Sequence, residues 1–202
     1  MADFKVNARD VRIGTPDQLT TGAVMFAPLG TELPDNTDIT KDGISVASAF
    51  EAAGYVSSDG LTLTPDYSTS DITEWGGALV RRILESFSGT LSWTMIETNE
   101  RSLKVAFGAQ NVTATAASAE HGAQLAVAIG AQLPDPASWV FKMKDGDARI
   151  MIVVPNGQVT TIEEVTFSAT DAIGWGVELS TYADENGKCI YIYTDDGLLA
   201  TA

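Results

Sequence analysis

The chain has 202 residues, 45% of them hydrophobic, and its 12 Lys and Arg stand against 27 Asp and Glu, a formal net charge of −15. The length suits one large domain and the apolar share allows a buried core, while the acidity excludes a surface built to grip nucleic-acid phosphates. A single cysteine, Cys189, excludes an internal disulfide, and no apolar run reaches the ~18 residues of a membrane span.

The N-terminal stretch MADFKVNARD mixes charges and lacks an apolar signal core, so the chain reads as one made in the cytoplasm. Residues 29–54 carry Gly, Pro, Asp and Asn and then an Ala-rich patch, the composition of a long loop. From Leu61 onward period-2 alternation takes over: Leu61 and Leu63 against Thr62 and Thr64, then Leu91, Trp93 and Met95 against Ser92 and Thr94. Between them, Thr64 to Thr73 is rich in strand formers but poor in large apolar side chains, so it predicts a strand wet on both faces and open to pairing with another chain. A short helix is predicted over about 99–108. Asn99 caps it, Glu100 and Lys104 pair at i,i+4, Leu103 and Phe107 share a face, and Gly108 stops it.

Residues 114–137 are Ala-, Gly- and Gln-rich and predict a second long loop. Further strands follow: Trp139, Phe141 and Met143 against Lys142 and Lys144, then Ala148 to Val154 ending at Pro155. Trp175, Val177 and Leu179 alternate with Glu178 and Ser180, and Cys189, Tyr191 and Tyr193 face away from Ile190 and Ile192. Asp59-Gly60, Ser88-Gly89, Asp145-Gly146, Asn156-Gly157, Asn186-Gly187 and Asp196-Gly197 supply turn signals. Short strands at this spacing predict a mainly β fold of sandwich or barrel type in one domain, 1–202, with one flanking helix.

No arrangement of residues carries chemistry. His121 is the only histidine and sits in the second loop, and no GxSxG, GxxxxGK[ST] or GxGxxG occurs. Zinc lacks ligands. Asp38, Thr40, Asp42 and Gly43 match half of a calcium loop, but Ala49 stands where its bidentate Glu belongs. The expectation is therefore no catalytic, metal or cofactor site.

One block carries a family likeness. It runs from Gly54 through Asp59-Gly60-Leu61-Thr62-Leu63-Thr64-Pro65, Ile72-Thr73-Glu74-Trp75-Gly76-Gly77 and Leu91-Ser92-Trp93 to Ile96-Glu97-Thr98-Asn99, with Trp175-Gly176, Leu179, Tyr182 and an Asp-Glu-Asn-Gly turn near the end. This resembles the major tail tube proteins of phages with long non-contractile tails, particularly those of actinobacteria, over roughly 1–110 and 138–195. The resemblance implies a β-sandwich that assembles with itself as hexameric rings stacked into a hollow tube in the virion tail, put together in the host cytoplasm. Its partners would be tape-measure, tail terminator and distal tail proteins, and phage DNA would pass an acidic wall without specific binding.

By the same likeness, an N-terminal arm (1–13) and the loop 31–53 would contact the next ring, with Phe4, Phe50, Tyr55 and Asp59 as interface residues. Strand 64–74 and a hairpin over 79–97 would lie near the lumen, with Asp66, Ser68, Ser70, Asp71 and Glu74 facing it. Deleting 31–51 would then leave a folded monomer unable to build tubes. The rival readings are a carbohydrate- or baseplate-type binding module, which needs exposed aromatics, and a tube of a related secretion or contractile system. Of Trp75, Trp93, Trp139 and Trp175, the last three sit in core-like alternation.

Overall fold

The structure, a computed structural model, describes residues 11–17 and 22–199. Its strands are β1 (Thr15–Pro16), β2 (Val24–Pro28), β3 (Ile39–Thr40), β4 (Gly43–Ile44), β5 (Glu51–Ala52), β6 (Val56–Thr73) and β7 (Leu79–Met95), then β8 (Val112–Thr115), β9 (Gln124–Val127), β10 (Ala137–Asp145), β11 (Ala148–Ile162), β12 (Trp175–Tyr182) and β13 (Tyr191–Asp195). The helix α1 spans Glu100–Phe107. The fold is mainly β, as expected. One antiparallel sheet runs β5-β2-β10-β11-β12-β7-β6, with β1 added to β10 and β13 to β11.

That sheet folds over on itself at β11. The first part of β11 pairs with β10 and β13, and its last part, from Asn156, pairs with β12. Two half-sheets therefore face each other, and Trp93 of β7 meets Trp139 and Phe141 of β10 edge-on at 5.4 and 5.3 Å. Leu91, Val177 and Leu179 from one half pack with Val24, Ile152 and Val154 from the other, and Leu103, Ala106 and Phe107 of α1 close the same cluster. α1 forms where the sequence places it. The Asn99 side chain accepts from the Ser102 amide, Glu100 pairs with Lys104 at 2.6 Å, and the Gly108 amide donates to the Lys104 carbonyl.

Several sequence expectations are corrected. Ser88-Gly89 is no turn, so 79–97 holds one long strand rather than a hairpin. Gly89 lies inside β7 opposite Pro65, where an added Cβ would meet Ile190 and Thr181 at 2.8 Å. The glycine serves close packing, and the reversal falls at Glu74–Ala78 instead. Asp59-Gly60 belongs to a bulge, since β6 pairs Val56 with Met95 and next Leu61 with Trp93. Pro155 does not end its strand, and Asn156-Gly157 lies at the bend where β11 changes partners. There the Trp139 indole donates to the Gly157 carbonyl at 3.0 Å. Lys142 is 4% exposed rather than wet, because both faces of β10 are covered. Burial pushes its ammonium pKa down, against the opposing pull of Asp17.

Neither long loop is structureless. Residues 31–53 hold a short 3-10 turn (Asn36–Asp38), the β3–β4 ladder and β5. They lay Leu33, Ile39, Ile44, Val46 and Phe50 on the outer face of β2, β10 and β11, against Met25, Val140, Met151 and Val153. Within 114–137, β9 pairs with β8 as a separate small ladder.

Candidate functional site

The register of β6, β7, β12 and β11 puts Leu61, Leu63, Leu91, Trp93, Val177, Leu179 and Val159 on the core side. Alternation then sends their neighbours to the opposite face. That outer face carries Thr62, Thr64, Asp66 and Ser68 from β6, Ser88, Thr90, Ser92 and Thr94 from β7, Glu178 and Ser180 from β12, and Gln158 and Thr160 from β11. Every one is exposed or half-buried. The Thr160 and Ser180 hydroxyls lie 2.8 Å apart, and the Tyr182 hydroxyl donates to Gln158 Oε1 at 3.0 Å. No Lys or Arg stands among these residues. The face is a wide hydroxyl surface whose charges are all carboxylates.

Beyond Asp66 the β6–β7 ribbon leaves the body, and from Tyr67 to Leu84 nearly every residue is exposed on both sides. At ~3.3 Å per residue, Asp66–Thr73 makes an arm of roughly 25 Å. Cross-strand pairs hold it: Tyr67 and Phe87 rings at 4.9 Å, and Arg82 donating to both oxygens of Asp71 at 2.7 and 3.0 Å. The Arg82 hydrogen bond is the main reason the Asp71 carboxyl sits below its usual range. A register shift after Ser68 places Glu85 within 3.5 Å of the Ser68 hydroxyl. At the tip, Glu74 and Ala78 are joined by a backbone bond, Gly77 takes φ +87°, and Trp75 is fully exposed. Ile72, Leu79, Val80 and Leu84 are exposed along the arm as well. A two-stranded ribbon with this much bare apolar surface has little stability of its own and is suited to docking.

The residues singled out from sequence fall in different places. Asp66, Ser68 and Ser70 alternate onto the hydroxyl side of β6, Asp71 points the other way into its pair with Arg82, and Glu74 is in the tip turn. Phe50 is 6% exposed and fills the subunit's own second core, whereas Tyr55 is exposed. Asp59 lies exposed in the β6 bulge, accepting from the Ser57 hydroxyl. Phe4 and most of the 1–13 arm lie outside the described residues. Sequence reasoning took in 64–74 and 79–97 but named facing residues only on the first, and it left out β12; Thr90 and Ser92, with Glu178 and Ser180, share the same face. The signal was present in their alternation with Leu91, Trp93 and Leu179.

Asp38 and Asp42 do not converge on an ion. Asp38 accepts from the Asp35 amide, and Asp42 occupies the two-residue β3–β4 turn, paired with Lys41. Among the described residues no group of three or more His, Cys, Asp or Glu could hold a metal, and no helix is long and apolar enough to cross a membrane. His121 lies in the β8–β9 connection with its Nδ1 2.8 Å from the Gly122 carbonyl.

Comparison with curated proteins finds no match. Among solved structures, the chain is similar to the anti-feeding prophage cap (AFP tube terminating cap), determined by cryo-electron microscopy. That likeness has 12% identity and a TM-score of 0.44, and covers 96% of this chain and 100% of that one. A family model described as phage tail tube protein matches residues 12–202. A match over nearly the whole length shows that this chain belongs to the phage tail tube protein family.

Proposed function

We propose that the chain polymerises as stacked, hexameric rings into the tube of a phage tail, with the hydroxyl face of β6, β7, β12 and β11 turned to the channel. The observation that carries this reading is the lack of Lys and Arg among the residues of the broad, open sheet face on the body of a subunit with charge −15, Arg81 joining that side only out on the arm. Carboxylates and hydroxyls repel or weakly solvate DNA phosphates, so the genome passes without sticking. The exposed arm supports the assembly half of the proposal, since bare apolar surface of this extent needs a partner. In the loop 31–53 the inner side is committed to the subunit core, which leaves the exposed Glu32, Asp35, Thr37 and Asp42 for contact with the next ring. Tape-measure, tail terminator and distal tail proteins complete the structure in the host cytoplasm, and the subunit acts without catalysis.

Negative-stain electron microscopy of concentrated, aged protein tests the proposal, together with antibody labelling of virions. Hollow tubes with a regular axial repeat, and label along the tail shaft, are expected. Label confined to capsids or fibres would refute it.

A further inference from the structure

Trp75 is more exposed than any other large apolar side chain described, at 105% of its reference area, whereas Trp93, Trp139 and Trp175 are buried. It stands on a slim turn with Gly76, Gly77 and Ala78 after it and Glu74, whose carboxylate lies over Gly76, before it. The arm carries it roughly 25 Å from the body of its own subunit.

The body holds a cleft of matching character. A groove of about 390 Å³ runs between α1, β2 and residues 134–136, within the ~300–1,000 Å³ range of sites that enclose a bulky ligand. Phe26, Trp139, Val105, Ala109, Pro28 and Pro134 are among the residues that line it. Proline rings and alanine surrender little rotamer freedom when a guest arrives, so the groove is preorganised. Its rim carries the exposed carboxylates of Asp135 and of Glu51, the latter 4.0 Å from Arg101, together with Lys104, which pairs with Glu100. The two carboxylates are acceptors for an indole N–H and the counterpart of Arg81, which lies opposite Ile72 near the tip and has no ion pair among the described residues.

We propose that Trp75 of one copy seats in the α1–β2 groove of a second copy. The inference deepens the tube reading and rests on it for the partner's identity. Knob and groove lie at different places on one chain, so the contact can run head to tail from copy to copy, as a ring or tube requires, whereas reciprocal exchange would close a dimer.

The test follows Trp75 emission and sedimentation as the concentration rises to the millimolar range, for the wild type, Trp75→Ala and Ala109→Phe. Both substitutions fall at exposed sites, and unchanged melting confirms that the variants fold. The wild type associates with a blue shift from Trp75, and each variant weakens association about 30-fold or more, as loss of a buried Trp anchor does. Mixing the two variants gives pairs that grow no further, because one intact knob meets one intact groove. Asp135→Arg weakens association, and Arg81→Glu in the same chain restores it. A wild type that stays monomeric, or association unaltered by either variant, overturns the contact. Microscopy separates the two ideas. Normal tubes from Trp75→Ala overturn the contact alone, whereas wild type that joins through Trp75 only into closed dimers overturns the tube reading and leaves the contact standing.

Discussion

Placing one lysine on the hydroxyl face tests the channel assignment, and the register says where. Thr90 lies between Thr64 of β6 and Ser180 of β12, whereas Ser92 lies between Thr62 and Glu178. Residues directly opposite have Cβ atoms about 5 Å apart, and diagonal neighbours about 7–8 Å. A lysine at 92 therefore has the Glu178 carboxylate directly opposite, while a lysine at 90 faces hydroxyls and has Glu178 and Asp66 only as diagonal neighbours, so its charge is the less fully offset. Either change takes the subunit charge from −15 to −15 + 1 = −14. Both positions are half-buried on an open face, so the cost in stability is about 1 kcal/mol or less, a fall of roughly 2–4 °C in Tm.

In the proposed hexameric ring the effect on DNA is far larger, because the ring multiplies the substitution. With about six phosphates engaged per ring, the affinity gained at 50 mM salt falls roughly 10³-fold on moving to 200 mM. The assay is retention of DNA by assembled tubes, and genome ejection by virions carrying the variant, at the two salt concentrations. Wild-type tubes retain none, Thr90→Lys retains DNA in a strongly salt-dependent way and slows ejection, and Ser92→Lys lies near wild type. Equal behaviour of Thr90→Lys and wild type would refute the lumen assignment. Equal retention by both variants would refute the part given to Glu178.

Three further outcomes follow from the geometry. Asn99→Ala removes the α1 cap and costs about 1 kcal/mol, read as a Tm lower by a few degrees, and an unchanged Tm would mean that the cap contributes nothing. The depressed Asp71 carboxyl stabilises the arm at pH values above the ordinary 3.8, and that contribution is lost as pH falls through its lowered folded value. Carbon-13 titration should find its midpoint below 3.8 and find Arg82→Ala moving it up, so an unmoved midpoint would exclude Arg82 as the cause. Phe50→Ala should cost about 3–5 kcal/mol in urea unfolding, because the ring fills the core beneath the 31–53 loop, and a cost under about 1 kcal/mol would return that loop to a purely external role.

Alternation made much of this fold legible, because period 2 reports one buried face wherever one face is buried. Leu91-Ser92-Trp93-Thr94-Met95 and Trp175 to Leu179 read true for that reason, and α1 was legible from its cap, ion pair and stop. The failures share a cause. Glycines read as reversals at 89 and 157 are present because another element approaches them closely, at Ile190 and Thr181 in the first case and Leu179 in the second. Such contacts are distant in sequence, so no local signal distinguishes them from turns. Lys142 misled likewise. A lysine alternating with Phe141 reads as solvent-facing, and only segments distant in sequence, Asp17 and Ala23 among them, cover it.

The same burial changes the expected effect of deleting 31–51. The loop contributes Leu33, Ile39, Ile44, Val46 and Phe50 to a core shared with Met25, Val140, Met151 and Val153. Its removal strips the outer face of β2, β10 and β11, so the product should be a destabilised, aggregation-prone chain rather than an intact monomer without tubes. Point changes on the loop's exposed side, at Glu32 or Asp42, isolate assembly from folding where a deletion cannot. The bend of β11 at Pro155–Gly157 makes that separation possible. It lets one strand serve both half-sheets, so one half turns its outer face to the covering loop while the other keeps its face bare and extends into the arm. Because both halves share β11, the bare face and the α1–β2 groove belong to one continuous body, from which the arm extends. A subunit that must repeat the same contact along a tube needs such surfaces in place before it meets its neighbour.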